Sequence, residues 1–178
     1  MNDDFFESKK RTIMIFPEFG NMKYIDQLRE KYDPLANKVR PHITLVFPFE
    51  SSFSENEISG ILNKRLHKIA PFEVVVHGLS VQDRWLTLDL VKGTDNLTEI
   101  HKILYANEFA GYKPVWLHGF VPHITVGQFN SAGETQNAYT KERDFNKIFS
   151  CRVDKISVEI IGNAEESIIE TEYMLRGK

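Results

Sequence analysis

The chain of 178 residues contains 42% hydrophobic and 26% charged residues and carries a formal charge of −3. This composition predicts one globular domain with a sizeable core, and the negative charge argues against binding of extended nucleic acid, which depends on many phosphate contacts. Cys151 is the single cysteine, so no intramolecular disulfide can form, and no stretch is apolar for long enough to cross a membrane. We therefore expect a cytoplasmic monomer without membrane contact.

The hydrophobic periodicity of the first half predicts the order strand, helix, strand, helix, strand. Apolar residues recur every three to four positions in the first helix, and Ser54 with Glu57 forms a capping box for the second. In chain order, the predicted elements are a strand at 12–17, a helix from Asn21 to Tyr32, a strand at 42–47, a helix from Ser54 to Ile69 and a strand from Phe72.

The same order of elements is predicted again in the second half. It comprises a strand at 85–90, a helix from Thr94 or Asp95, a strand from His123, a weaker helix from Glu134 to Ile148, a strand from Cys151 to Ile160 and a final strand from Ser167 to Leu175.

The two copies predict a single bilobal domain over residues 1–178, with repeat one at about 11–80 and repeat two at about 84–175. Each repeat presents a sheet face that needs cover, so we expect the lobes to share a core and leave a cleft between them. The helices should lie on the outside.

The tetrapeptide Pro-His-Ile-Thr begins the predicted strand at 42–47. Side chains alternate along a strand, so His42 and Thr44 share one face, whereas Ile43, Leu45 and Phe47 should anchor the other. This pattern predicts an imidazole and a hydroxyl side by side on an exposed face.

The same tetrapeptide returns at the start of a second apolar strand, where His123 and Thr125 again share one face. If the two halves face each other, the cleft holds two proton-transfer groups and two neutral hydrogen-bond donors. Displacement at phosphorus needs a base for the attacking oxygen and an acid for the leaving oxygen, and histidine can serve as either near neutral pH. The hydroxyls of Thr44 and Thr125 can donate to non-bridging phosphate oxygens.

The two segments PHITLVF and PHITVGQ resemble the two H-x-[ST] signatures of the two-histidine (2H) phosphoesterase superfamily. Within that superfamily, the resemblance is greatest to the 2'-5' RNA ligase-like and cyclic phosphodiesterase branch. The resemblance implies an α+β bilobal fold with pseudo-two-fold symmetry, two mainly antiparallel sheets and a central cleft. It implies chemistry on 2',3'-cyclic phosphates or 2'-5' linkages without a metal or other cofactor. The catalytic residues implied are His42, Thr44, His123 and Thr125, and the partner is a phosphate-containing small molecule or an RNA terminus.

One feature departs from that resemblance. Many members carry a basic residue shortly after the second signature, where this chain has Gly127, Gln128 and Phe129. Arg40, Lys113 or the cluster at residues 9–11 could supply the missing charge, and an aromatic loop at 111–120 could stack on a base. The candidate substrate-binding residues are Arg40, Tyr112, Lys113, Trp116 and Phe129.

Two alternatives to an enzyme remain open at this stage. The same cleft could bind a nucleotide or RNA end without turnover, as the uncharged Gln128 suggests, or the two histidines could form part of a structural metal site. The sequence also does not decide which histidine is the acid and which is the base.

Overall fold

The computed structural model describes residues 8–177, which form two four-stranded antiparallel sheets. The helices and strands, in chain order, are β1 Lys9–Ile15, α1 Lys23–Tyr32, β2 Ile43–Ser51, α2 Glu55–Leu66, β3 Phe72–Gln82, β4 Trp85–Lys92, α3 Thr94–Tyr105, a 3-10 turn Ala110–Tyr112, β5 His123–Gln128, α4 Ala132–Lys141, β6 Ile148–Val153, β7 Lys155–Ile161 and β8 Ser167–Met174. The predicted α+β fold with two sheets is confirmed.

The strand order shows the pseudo-symmetry. One sheet has the order β2-β1-β7-β8 and the other the order β5-β4-β3-β6, so β2 and β5 are equivalent edge strands. These two edge strands contact each other. The two Pro-His-Ile-Thr segments therefore begin strands that meet where the sheets adjoin.

Each sheet combines strands from both predicted repeats. Strands β7 and β8 return to the sheet of β1 and β2, whereas β3 pairs with β4 across a tight hairpin and so joins the other sheet. Helices α1 and α4 pack on the sheet of β5, and α2 and α3 pack on the sheet of β2. This exchange ties the lobes together around one continuous core.

The predicted bounds of two elements near the C-terminus were wrong. The helix predicted from Glu134 to Ile148 ends at Lys141, and the strand predicted from Cys151 to Ile160 is two strands separated by Asp154. Strand β6 pairs with β3 and strand β7 pairs with β1, so the chain crosses between sheets at this point. A continuous apolar run looks like one strand in the sequence because the crossing depends on pairing partners far away in the chain.

The capping of α2 follows the sequence directly. The Ser54 side chain accepts a hydrogen bond from the Glu57 N–H, and the Glu57 carboxylate accepts one from the Ser54 N–H. The capping box is thus confirmed, and it fixes where the chain turns back after β2.

Candidate active site

Both His-x-Thr pairs line one cleft with a volume of about 730 Å³. His42 and Thr44 reach it from the first sheet and His123 and Thr125 from the second, and all four side chains are partly exposed. The residues around the cleft are Asp33, Leu35, His42, Thr44, Phe47, Gln82, Asp83, Trp85, Trp116, Leu117, Gly119, Phe120, Val121, His123 and Thr125. The structure therefore brings together the four residues that the sequence selected.

The two imidazoles are held in the same way. His42 Nδ1 lies 2.9 Å from the carbonyl oxygen of Arg40, and His123 Nδ1 lies 2.8 Å from that of Val121. A carbonyl only accepts, so each Nδ1 carries a proton and donates it to the residue two positions earlier. Each neutral ring then has its unprotonated nitrogen, Nε2, free to accept a proton.

Buried neighbours anchor the strands that carry these side chains. Ile43 and Leu45 on β2, and Ile124 and Val126 on β5, are completely buried on the opposite face from the histidines. At these positions, both strands bury and expose alternate side chains as the sequence predicted.

Phe47 departs from the predicted alternation. It lines the cleft, although the sequence pattern placed it with the buried face. The register of β1 with β2 shifts between the pairs Ile13↔Val46 and Met14↔Thr44, so Leu45 and Val46 together oppose one residue and both are buried. This bulge turns the next side chain, Phe47, to the cleft.

A buried arginine holds the loop that precedes His42. Arg29 donates from Nε to the Asp33 carboxylate at 2.8 Å, from Nη1 to the Val39 carbonyl at 2.7 Å and from Nη2 to the Leu35 carbonyl at 3.2 Å. The side chains of Arg29 and Asp33 are 2% and 6% exposed. These bonds fix the segment that leads to Arg40, whose carbonyl oxygen accepts the hydrogen bond from His42 Nδ1.

The surroundings of His42 favour its neutral form. Burial lowers the pKa of His42 below its ordinary value, and the positive charge of Arg29 and the neighbouring His123 act in the same direction. The Arg40 carbonyl and the Asp33 carboxylate oppose them, but the pKa is lowered on balance. His42 is therefore suited to accept a proton at neutral pH.

Aromatic rings form one wall of the cleft. The Trp116 ring packs edge-on against Phe47, with centroids 5.1 Å apart, and is 62% exposed. Phe120 stacks on His101 at 3.9 Å, and His101 Nδ1 donates to the Leu45 carbonyl at 2.8 Å. The wall is thus tied to the strand that carries Thr44.

Of the predicted substrate-binding residues, Trp116 lines the cleft and the two other aromatic candidates do not. Tyr112 packs against Phe49, with ring centroids 5.2 Å apart, and against Phe53. Phe129 packs against Tyr32 at 5.8 Å. Both rings are partly buried and pack against the core, so a position close to the motif in sequence did not place them in the site.

The predicted cationic candidates also lie outside the cleft lining. The Arg40 guanidinium lies over the Phe16 ring, 4.4 Å from its centroid, and Lys113 is exposed. Arg11 is buried and donates to Glu170 and to the Phe53 carbonyl, so the cluster at residues 9–11 supports the far edge of the sheet. Among the described residues that line the cleft, none is lysine or arginine.

Several residues around the cleft were not singled out from the sequence. Asp33, Gln82, Asp83 and Trp85 lie on a loop and on the β3–β4 hairpin, and they reach the cleft through tertiary contacts. The one local signal was Trp85, an exposed indole that directly follows a turn. His101 is buried beneath the aromatic wall.

No metal centre and no membrane segment is evident in the described part of the chain. Within residues 8–177, no group of three or more His, Cys, Asp or Glu side chains is arranged to hold a metal ion. No helix in that range is long and apolar enough to cross a membrane.

Comparison with known proteins agrees with the fold and the paired motifs. The sequence model of the 2'-5' RNA ligase superfamily matches residues 17–164. The chain belongs to this superfamily. The two Pro-His-Ile-Thr segments both fall within the matched range, as does every residue that lines the cleft.

Two curated proteins with similar sequences come from bacteria. A protein of Geobacillus kaustophilus named "Putative phosphoesterase GK0864" is 29% identical over 176 residues, which cover 95% of this chain and 98% of the relative. A "Putative phosphoesterase" of Bacillus anthracis is 34% identical over 131 residues, or 70% of this chain and 73% of the relative.

Solved structures share the fold over nearly the whole chain. Escherichia coli LigT in its apo form aligns with a TM-score of 0.64 at 16% identity, covering 96% of this chain and 99% of LigT. LigT in complex with 3'-AMP aligns with a TM-score of 0.63 at 15% identity, covering 95% of this chain and 99% of LigT. This similarity confirms the bilobal architecture.

Proposed function

We propose that the protein is a phosphoesterase that hydrolyses 2',3'-cyclic phosphates or 2'-5' phosphodiesters of small nucleotides or RNA ends, without a metal. The observation that carries this proposal is the matched pair of imidazoles, each with Nδ1–H bonded to a carbonyl two residues earlier and both in one cleft. Two such groups can supply both proton transfers that the reaction needs. The phosphoesterase names of the relatives support the same class.

The surroundings of His42 suggest a role for each histidine. His42, whose pKa is lowered mainly by burial, is neutral at neutral pH and takes the proton of the attacking water at Nε2. As the new bond from oxygen to phosphorus forms, the bond to the 2' or 3' oxygen breaks, and that oxygen receives a proton from Nε2 of protonated His123. A second cycle begins once His42 has released its proton and His123 has regained one.

The threonines have a separate role in this proposal. Thr44 and Thr125 line the same cleft as the imidazoles and carry neutral hydroxyl donors. Their hydroxyls donate to the non-bridging oxygens, where negative charge increases in the transition state.

The proposed partner is a phosphate-containing small molecule. LigT has been crystallised with 3'-AMP and with phosphate, which shows that the LigT fold accommodates such ligands. The cleft volume of about 730 Å³ is within the usual range for pockets that enclose a molecule of nucleotide size.

Incubation with 2',3'-cyclic nucleotides in excess EDTA, followed by 31P NMR, tests the proposal. We expect conversion to a nucleoside monophosphate in EDTA, and a loss of kcat on the order of 10²–10⁴-fold for His42→Ala and for His123→Ala. His67→Ala is the matched control, because His67 is exposed, lies outside the cleft and also has Nδ1 bonded to a backbone carbonyl, at 3.0 Å.

Three outcomes would contradict the proposed mechanism. Turnover that requires added metal would refute metal independence, and turnover that survives either alanine substitution would refute the acid–base pair. Tight binding of both cyclic and 2'-5' nucleotides without formation of any product would favour a binding module over an enzyme.

A further inference from the structure

The charges around the cleft are unusual for a site that holds phosphate. The carboxylates of Asp33 and Asp83 line it, and among the described lining residues only the imidazoles can carry a positive charge. Asp33 is neutralised by Arg29 at 2.8 Å. Asp83 forms an ion pair with the exposed Arg84 at 3.8 Å, and its side chain is 75% exposed.

The hairpin between β3 and β4 fixes the position of Asp83. Gln82 and Trp85 are register partners, so Asp83 and Arg84 form a two-residue turn. Asp83 has φ of 53°, in the left-handed region, which aspartate and asparagine tolerate better than most residues. Because Gln82 and Trp85 also line the cleft, the turn holds the Asp83 carboxylate at its rim.

Three exposed residues at the cleft are apolar or aromatic. Trp85 is 39% exposed, Trp116 62% and Val121 66%, and all three line the cleft. Exposed indoles offer stacking surfaces for planar rings, which every nucleobase provides.

We propose that the cleft selects a small phosphodiester with a single negative charge and a planar ring, and that the Asp83 carboxylate disfavours substrates that carry further phosphates. This inference rests on the proposed function and narrows its substrate class from small nucleotides or RNA ends to small nucleotides. One phosphate lies between the imidazoles and the ring lies against the indoles. A second phosphate at the rim meets the negative charge of Asp83.

Coulomb's law sets the size of the effect. Two like unit charges about 7 Å apart repel each other less in water than in a medium with an effective dielectric constant of about 20. Taken as the two limits, these media give a roughly 3- to 50-fold change in affinity. Salt should reduce this discrimination, because the Asp83 side chain is exposed to solvent.

The substrate pair for the test is adenosine 2',3'-cyclic phosphate with and without a 5'-phosphate. We expect kcat/KM of the wild type to be about 3- to 50-fold lower with the 5'-phosphate, and Asp83→Asn to bring the two values close together. Asparagine keeps the left-handed turn, so the change removes the charge alone. Glu99→Gln is the matched control, since Glu99 is exposed on α3 and does not line the cleft.

Binding provides a readout that does not depend on turnover. Calorimetry with adenosine 3'-monophosphate and adenosine 3',5'-bisphosphate should show the same preference and the same loss of preference in Asp83→Asn. Trp116→Ala should weaken the binding of adenosine 3'-monophosphate by roughly 5- to 150-fold, because the stacking contact with the base is lost. Binding of inorganic phosphate should be unchanged.

The outcomes separate the two proposals. Equal kcat/KM or equal affinity for the members of each pair in the wild type, or an unchanged ratio in Asp83→Asn, would overturn the inference about charge. Absence of turnover with the binding preference intact would refute the proposed reaction and leave the charge selectivity standing.

Discussion

Replacing Arg29 with alanine should destabilise the protein far more than loss of an exposed ion pair. The Arg29 side chain is 2% exposed and makes three hydrogen bonds, to the Asp33 carboxylate and to the carbonyls of Leu35 and Val39. Without it, the Asp33 carboxylate, 6% exposed, keeps one described hydrogen bond, from the Leu35 N–H at 2.9 Å.

The expected loss follows from the charge left behind. Removing one member of a buried ion pair typically costs about 3–5 kcal/mol, because the remaining charge is desolvated without a partner. Total stability of a domain is about 5–15 kcal/mol, so the variant should unfold at a much lower urea concentration. The free energy of unfolding, measured by tryptophan fluorescence in urea, provides the assay.

A matched control comes from the same helix. Lys31 forms an ion pair with Glu142 at 3.0 Å, but the Lys31 side chain is 55% exposed. Lys31→Ala should cost less than about 1 kcal/mol. If Arg29→Ala and Lys31→Ala lowered the free energy of unfolding equally, the assigned role of Arg29 in fixing the loop before His42 would be wrong.

The same variant should also change the pH profile. Arg29 helps burial to lower the pKa of His42, so its removal should raise that pKa and move the acid limb of kcat/KM to higher pH. A stability loss with an unmoved acid limb would show that Arg29 supports the fold without affecting His42.

Four further predictions concern acid–base behaviour and the assigned site. Because burial lowers the pKa of His42, the acid limb of kcat/KM in the wild type should lie at lower pH than for a histidine base with its ordinary pKa. Thr44→Val should lower kcat by roughly 10²-fold with little change in KM, measured by steady-state kinetics. Tyr112→Ala should leave KM unchanged and lower the urea midpoint, since its ring packs in the core. Arg65 lowers the pKa of Glu108 to about 2, so wild-type stability should decline as pH falls from about 4.5 through about 2, and Glu108→Gln should remove that part of the decline in acid unfolding curves.

Features that depend only on residues a few positions apart were predicted correctly from the sequence. The capping box at Ser54 depends on residues three positions apart, and the shared face of His42 and Thr44 depends on strand alternation. Both can be deduced without knowing any distant contact. The same holds for the second pair, His123 and Thr125.

Residues that depend on distant contacts were not predictable in the same way. Phe47 reaches the cleft because of a bulge in its pairing with β1, and Tyr112 is partly buried because its ring packs against Phe49 of β2. Nothing within a few residues of either position signals these outcomes. Asp83 lies on the cleft because it belongs to the β3–β4 hairpin, and β4 pairs with β5, the edge strand that carries His123.

The sequence by itself determined the repeated order of elements and the two His-x-Thr faces, because hydrophobic period and side-chain alternation are properties of a few neighbouring residues. The tertiary structure alone decided that strands cross between the sheets, that Arg29 locks the loop before His42, and that carboxylates and indoles surround the two imidazoles. Those features arise from pairing and packing between segments far apart in the chain, which no local pattern specifies.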